Sequence, residues 1–251
     1  MSDSQHILSE LGFAVSQDEG DMVGEARVIP EMHVPGSTRL RTSILASWAD
    51  HLSGLLAITV TAPQVPVTVE LDVHLFAPAP AEGTVRCTAK ALKAGRSVFM
   101  AGVTFTSGDG IPIAVGGGSF MVAPDPSLRL PTTLSLNGPP PVQTLRVPLA
   151  QRAGCERREP GVAVLPRSDD GLNSSNTVNG GLIALAVEEA ALSLAPGATL
   201  SSLSLRYLRP VRIGPAVAAA VVRSGLGQIE VRDAGNANRL SVLATMRFFD
   251  G

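Results

Sequence analysis

The chain has 251 residues, of which 45% are hydrophobic and 17% charged, and its formal net charge is −2. This composition is typical of a protein with a sizeable core and argues against disorder, while the length allows one large domain or two of modest size. The near-neutral charge gives no electrostatic reason to expect nucleic acid or an anionic membrane surface as a partner.

The N-terminal residues 1–13 carry acids early and no long apolar run, so we expect no secretory signal. No stretch reaches the roughly 18 apolar residues that a membrane span needs. The two cysteines, Cys87 and Cys155, lie far apart, and the four histidines show no spacing typical of metal ligands. These observations predict a cytoplasmic protein with reduced thiols and with neither a metal nor a cofactor.

The first elements in chain order are a short helix at 6–12, which ends in a glycine that fits a helix C-terminus, and a strand near 13–29. Residues 43–58 follow as a helix that is apolar almost all the way round. Such a helix must be covered on most sides, so we expect a sheet to wrap it. From residue 65 the apolar residues recur with a period of two, which predicts a strand over 65–76 with one buried face.

Three more strands complete the first half, and the second half then repeats the whole order. The predicted strands of the first half lie at 84–92, 97–106 and 111–122. The second half has a short helix at 148–154, a strand near 155–166, an apolar helix at 181–195, and strands at 200–208, 216–223, 228–233 and 239–249. Between the halves, residues 124–144 contain six prolines, which is typical of an extended linker.

We therefore predict an α+β fold of two tandem repeats, each a long central helix wrapped by an antiparallel sheet. The N-terminal repeat is placed at 1–123, the proline-rich linker at 124–144 and the C-terminal repeat at 145–251. Two such repeats in one chain make an internal pseudo-dimer.

The order of short helix, strand, buried helix and four strands resembles the hotdog fold. In the second half, Asn173 precedes Asn179-Gly180-Gly181 by six positions, and Glu188 follows Asn179 by nine. This pattern resembles the PaaI-like hotdog thioesterases, in which an Asn precedes a His-Gly-Gly by six residues and an Asp follows that His by nine. Asn173 matches the Asn, while Asn179 replaces the His and Glu188 replaces the Asp.

The first half resembles the same family at other positions. Asp50 stands at the family's Asp, and Thr68 lies ten residues before Pro78, as a family Ser or Thr does before its Pro. The remaining positions depart from the pattern. Arg41, Thr42 and Ser43 replace His-Gly-Gly, Pro35 replaces the Asn, and Leu200 stands at the hydroxyl position of the second half.

The resemblance implies hydrolysis of an acyl-CoA thioester at a site between the repeats, with the helix-start glycine and Asn from one repeat and the carboxylate and hydroxyl from the other. One such set is complete, and the reciprocal set lacks two members, so we expect one competent site. The complete set is Asn173 and Gly180 with Asp50 and Thr68; the reciprocal set is Pro35 and Thr42 with Glu188 and Leu200.

The chemistry assigns a role to each candidate. Thioester hydrolysis needs a carboxylate that activates water or attacks the carbonyl, and N–H donors for the developing oxyanion. The start of a buried helix supplies such donors. The expected roles are Asp50 as general base or nucleophile, Thr68 orienting the water, and Gly180 N–H with the Asn173 amide polarising the carbonyl. Asn179 is expected to hold the loop or to form a hydrogen bond near the thioester, and Glu188 is the candidate carboxylate of the reciprocal set.

The same residues also fit a purely structural role. Asp50 could be a structural carboxylate, the asparagines could be loop and cap residues, and Arg96, Arg206, Arg209 and Arg212 could neutralise CoA phosphates or be solvated strand-end charges.

Because both histidines of His-Gly-Gly are replaced, the chain could be a weak or inactive hotdog protein that binds acyl-CoA or serves as an assembly partner. An enoyl-CoA hydratase ranks below, since it typically pairs an Asp and a His in one short loop. The resemblance also implies a homo-oligomer and leaves the acyl chain open.

Overall fold

The computed structural model describes residues 6–95, 97–130 and 142–249. In that part of the chain, twelve strands form one sheet, and two long helices pack against it. The elements of the first half are β1 (Ala14–Asp18), β2 (Asp21–Arg27), α1 (Thr42–Thr61), β3 (Pro66–Leu75), β4 (Thr84–Ala94), β5 (Phe99–Ser107) and β6 (Pro112–Val122). Those of the second are α2 (Leu149–Arg152), β7 (Glu156–Glu159), β8 (Val162–Leu165), α3 (Gly180–Leu194), β9 (Leu200–Tyr207), β10 (Ala216–Arg223), β11 (Leu226–Asp233) and β12 (Arg239–Phe248).

From either edge of the sheet to its centre, the strands of the two halves follow the same order. Across the whole sheet the order runs β1-β2-β4-β5-β6-β3 and then β9-β12-β11-β10-β8-β7, so each strand of the first half has its counterpart at the mirrored place in the second. The halves join where β3 and β9 pair antiparallel, with Asp72 opposite Ser204. This arrangement is what an internal duplication produces when the two copies pair edge to edge.

Two predicted strands were wrong in detail. The single strands expected near 13–29 and 155–166 are each a hairpin, β1–β2 and β7–β8. The first turns at Glu19 and Gly20, whose φ angles are 47° and 95°, and the second contains Gly161 with a φ of 84°. Glycine adopts these left-handed conformations without steric cost, so the chain reverses there rather than continuing as a strand. The predicted first helix, in turn, is a 3₁₀ helix over Ile7–Leu11.

The central helices form the core and pack against each other. Gly181 near the start of α3 allows this contact, because a Cβ there would collide with Ser47 of α1. Helix α1 is also 20 residues long and has a hydropathy of 1.3 over an 18-residue window, 56% of which is buried. It therefore meets the length and composition criteria for a membrane span, which a core helix covered by a sheet also meets.

The linker is described only in part. Residues 131–141 of the predicted linker lie outside the described residues, and the repeat boundaries at 123 and 145 stay predictions. The described piece from Ala123 to Leu130 runs back along the end of α1, where Leu130 N–H donates to Pro63 O at 2.9 Å and Gln64 forms a β-bridge with Arg129.

Candidate active site

Each repeat directs a carboxylate at the first turn of the other repeat's central helix. Asp50 on α1 approaches the start of α3, with its Oδ2 atom 3.3 Å from the position that a Cβ of Gly180 would occupy. Glu188 on α3 approaches the start of α1, where its Oε1 accepts a hydrogen bond from Thr42 N–H at 2.9 Å. The two places are related by the internal duplication, but their surroundings differ.

The place at Asp50 opens into a cavity of about 910 Å³ lined by both repeats. Five of the six candidate residues from the sequence line this cavity. They are Asp50 and Thr68 of the first repeat and Asn173, Asn179 and Gly180 of the second. The sixth, Glu188, is not brought to it.

Among the described residues, Thr68 is the one side chain that forms a hydrogen bond with the Asp50 carboxylate. Thr68 Oγ1 donates to Asp50 Oδ1 at 2.7 Å, from strand β3 to helix α1. Burial raises the pKa of the Asp50 carboxyl to about 6, and the Thr68 bond opposes that rise. A carboxylate with a pKa near neutrality is ionised at pH 7 yet basic enough to accept a proton from water.

The first turn of α3 provides a backbone hydrogen-bond donor, Gly180 N–H, close to the Asp50 carboxylate. Asn179 is the N-cap residue, and its Oδ1 accepts from Gly181 N–H at 2.8 Å. Among the described residues, no atom accepts a hydrogen bond from Gly180 N–H. That N–H and the positive end of the helix dipole therefore suit a developing negative charge.

Asn173 shapes the loop that leads to α3. Its Oδ1 accepts from Ser175 N–H at 3.0 Å, from Thr177 N–H at 3.2 Å and from Thr177 Oγ1 at 3.1 Å. These bonds commit the carbonyl end of the side chain to the loop. The amide NH₂ end is then the donor that a ligand in the cavity can use.

Tyr207 is a residue of this site that the sequence did not single out. Its hydroxyl donates to Gly180 O at 3.0 Å and lies 3.2 Å from the position of a Gly180 Cβ. Burial and the neighbouring Asp50 raise the pKa of the phenol well above its usual value, so it stays a donor. Tyr207 is the one tyrosine of the sequence, and that rarity was the available signal, although its place in an alternating pattern also fits an ordinary strand residue.

We expect Tyr207→Phe to lower kcat/KM about tenfold, because the lost hydroxyl loosens the Gly180 peptide beside the carboxylate. Steady-state kinetics on any accepted thioester checks this. Tyr207 lines the cavity with its ring, which Phe retains, so the urea midpoint should move little. An unchanged kcat/KM would remove Tyr207 from the site.

Comparisons with known proteins agree with this architecture. Residues 43–114, which include α1 except its first residue and all of β3, β4 and β5, match the family model of the Thioesterase superfamily. No curated protein matches the sequence significantly. Among solved structures, a conserved protein of unknown function with a hot dog fold from Alicyclobacillus acidocaldarius is similar to this chain. The match covers 98% of this chain and 99% of that one, with a TM-score of 0.63 at 15% identity.

The chain has a double hotdog fold. Two further structures share it: an acyl-ACP thioesterase from Bacteroides thetaiotaomicron (TM-score 0.63, 13% identity, 93% of this chain and 99% of that one) and a 12:0-ACP thioesterase from Umbellularia californica (TM-score 0.66, 12% identity, 93% and 98%). The predicted α+β fold with two tandem hotdog repeats is thus confirmed. At such identities, these likenesses establish the fold.

The equivalent position in the other direction, where Glu188 meets the start of α1, is closed by an ion-pair network. Glu188 is fully buried and accepts from Ser43 Oγ at 2.6 Å and Arg41 Nη1 at 3.2 Å, in addition to Thr42 N–H. Arg41 also pairs with Glu189 at 2.6 Å. Both carboxylate oxygens of Glu188 are therefore occupied, and the helix start that faces them already holds an anion.

Two arginines of the double hotdog mark the solvent side of the cavity. Arg209 and Arg212 are exposed and belong to its lining. Arg206 lies elsewhere, 3.8 Å from Glu70, and Arg96 lies outside the described residues. Of the four arginines considered for phosphate binding, the structure brings these two to the cavity.

Proposed function

We propose that this double hotdog hydrolyses an acyl-CoA thioester to the free acid and CoA, at the cavity between its repeats. The observation that carries the proposal is the Asp50–Thr68 pair of one repeat beside the uncapped Gly180 N–H of the other. The Thioesterase superfamily match and the thioesterases among the structural neighbours support thioester hydrolysis in general.

In the proposed reaction Asp50 acts as general base. It takes a proton from a water molecule that attacks the thioester carbonyl carbon, while Thr68 orients the carboxylate. Gly180 N–H, the α3 dipole and the Asn173 amide stabilise the oxyanion. When the tetrahedral intermediate collapses, the C–S bond breaks and the proton on Asp50 passes to the departing CoA sulfur. Attack by the carboxylate itself is the alternative: an Asp50–acyl anhydride forms as the CoA thiolate leaves, and single-turnover hydrolysis in ¹⁸O-water labels Asp50 if water then attacks the Asp50 carboxyl carbon.

The carrier is proposed from the charges at the cavity's solvent side. Exposed guanidinium groups such as those of Arg209 and Arg212 suit the phosphates of CoA. Two of the structural neighbours are named as acyl-ACP thioesterases, so an acyl carrier protein is the second candidate carrier.

A panel of acyl-CoAs, acyl-pantetheines and acyl carrier proteins, with a thiol reagent to follow release, tests this function. We expect acyl-CoA turnover that the pantetheine analogue supports less well, because it lacks the nucleotide phosphates. Bound acyl-CoA without turnover of any substrate would instead favour a binding or assembly role for the double hotdog.

The pH dependence of kcat/KM should follow the ionisation of Asp50. Because the free-enzyme pKa of Asp50 is about 6 and the base must be ionised, kcat/KM should rise about tenfold per pH unit below pH 6 and level off above about pH 7. A stopped assay across pH 4.5–8.5 measures this pH dependence. An Asp carboxyl with an unperturbed pKa would place the midpoint of the profile at about pH 4. A profile that stays flat from about pH 7 down to the lower end of the assayed range would contradict the assignment.

A further inference from the structure

The cavity continues beyond Asp50 as an apolar chamber along the second half of α1. Asp50, Gly54 and Ile58 recur every four residues and so share one face of the helix, over about 12 Å. Val67 of β3 and Phe120 of the neighbouring strand β6 also line the chamber. The chamber therefore begins at the proposed reacting carbon and leads away from it between apolar surfaces.

Gly54 keeps this chamber open. Glycine is a poor helix former, and here it stands in the middle of a 20-residue helix. Close backbone packing does not explain it, because a Cβ at Gly54 would meet, of the residues that the structure describes, just the Phe120 ring, at 3.7 and 3.9 Å. The absence of a side chain at Gly54 leaves free space in the cavity one helical turn beyond Asp50.

A piece of the inter-repeat linker closes the far end. We call residues 123–130 the linker strap. It is fastened by Ala123 N–H to Val65 O at 2.8 Å and by Leu130 N–H to Pro63 O at 2.9 Å. Its leucines join a small hydrophobic cluster separate from the main core, which consists of Val65, Ala123 and Leu130 with Ile58, Val67 and Leu128 packed against them. Leu128 and Leu130 both line the cavity.

We infer that Gly54 and the linker strap set the length of the acyl group, and that the substrate carries an unbranched aliphatic chain ending against Leu128 and Leu130. The inference rests on the proposed function. An apolar chamber favours methylene groups by burial of their surface, and the packed leucines of the strap leave no space for a carbon that reaches past them.

A ladder of saturated straight-chain acyl-CoAs, assayed with Gly54→Leu and Leu128→Ala, tests the inference. Gly54→Leu should lower kcat/KM for the longest accepted chain at least tenfold and leave the shortest within about twofold, since one methylene in such a pocket changes the rate about 10- to 200-fold. Leu128→Ala should move the optimum to longer chains. Val142→Ala is the matched control, because Val142 is a linker residue that is 73% exposed and outside the cavity lining; it should change nothing.

Binding of free saturated fatty acids, followed by calorimetry, separates this inference from the function. A length optimum that moves in the two variants without hydrolysis of any thioester would keep the inference and reject the proposed activity. Hydrolysis with the same length profile in wild type, Gly54→Leu and Leu128→Ala would overturn the inference alone. If Gly54→Leu does not fold, Gly54→Ala serves instead, with a smaller shift in the same direction.

Discussion

Asp50→Asn is expected to lower kcat by about 10²–10⁴-fold with the fold intact, which is the range that a general base contributes. Asparagine has nearly the same shape and still accepts the hydrogen bond from Thr68 Oγ1, but it cannot take a proton from water. Steady-state and single-turnover kinetics with the preferred thioester measure the loss. A variant with more than a tenth of wild-type kcat would sink the proposed mechanism.

The stability of the same variant provides an internal control. The pKa of Asp50 is raised from 3.8 to about 6 in the folded chain. Ionised Asp50 therefore costs the folded state free energy at high pH; the penalty is absent below about pH 4, grows as the pH rises through about 4–6, and reaches about 2–3 kcal/mol by linkage. Asp50→Asn should unfold at equal or higher urea than wild type at pH 8, with the difference gone at pH 4. Lost activity with gained stability excludes misfolding as the cause.

Glu188→Gln is expected to have the opposite effect: a loss of about 1–3 kcal/mol in the free energy of unfolding, with the activity of the folded fraction retained. Glutamine removes the charge that Arg41 Nη1 contacts at 3.2 Å, in a place where both side chains are fully buried. Arg41 keeps its ion pair with Glu189 at 2.6 Å, so the loss comes from exchanging the charged acceptor of the Arg41, Thr42 and Ser43 hydrogen bonds for a neutral one. Urea unfolding followed by circular dichroism measures it.

A double variant distinguishes the ion pair from a simple loss of packing. Arg41→Met together with Glu188→Met removes both charges, and should recover part of the stability, because Glu189 still pairs with Arg157 at 2.6 Å. If Glu188→Gln instead lost activity while its unfolding midpoint stayed at the wild-type value, Glu188 would have a chemical role and the two places would both be active.

The contrast between these carboxylates reflects what duplication permits. In a dimer of identical hotdogs, a change at one site is a change at both. In this chain the two halves vary independently, so the helix start at Thr42 could be filled by Glu188 and its arginine while the start at Gly180 stayed open. The closed place then stabilises the contact between repeats, and the open one retains room for a ligand.

The local order along the chain followed from the sequence. Helix α1 was predicted at 43–58 and found over Thr42–Thr61, and β10 was predicted with its observed ends at 216–223. The helix was predicted from residues that are apolar on almost all of its faces, and the strand over 65–76 from a period of two, which buries one face. The pairing of Asp50 with Gly180 was also predicted, but only through the family resemblance, and the catalytic roles built on it stay predictions.

The tertiary structure decided what depends on contacts between residues far apart in sequence. Nothing in the local pattern near Glu188 shows that Arg41, 147 positions earlier, occupies its carboxylate. Likewise, Tyr207 is an ordinary strand residue until the end of β9 and the start of α3, 27 positions apart in sequence, come together and its hydroxyl reaches Gly180. The sequence by itself therefore determined which elements form and how often they repeat. Burial, ion pairing and free space arise only when the two repeats come together, and these distinguish the open place from the closed one.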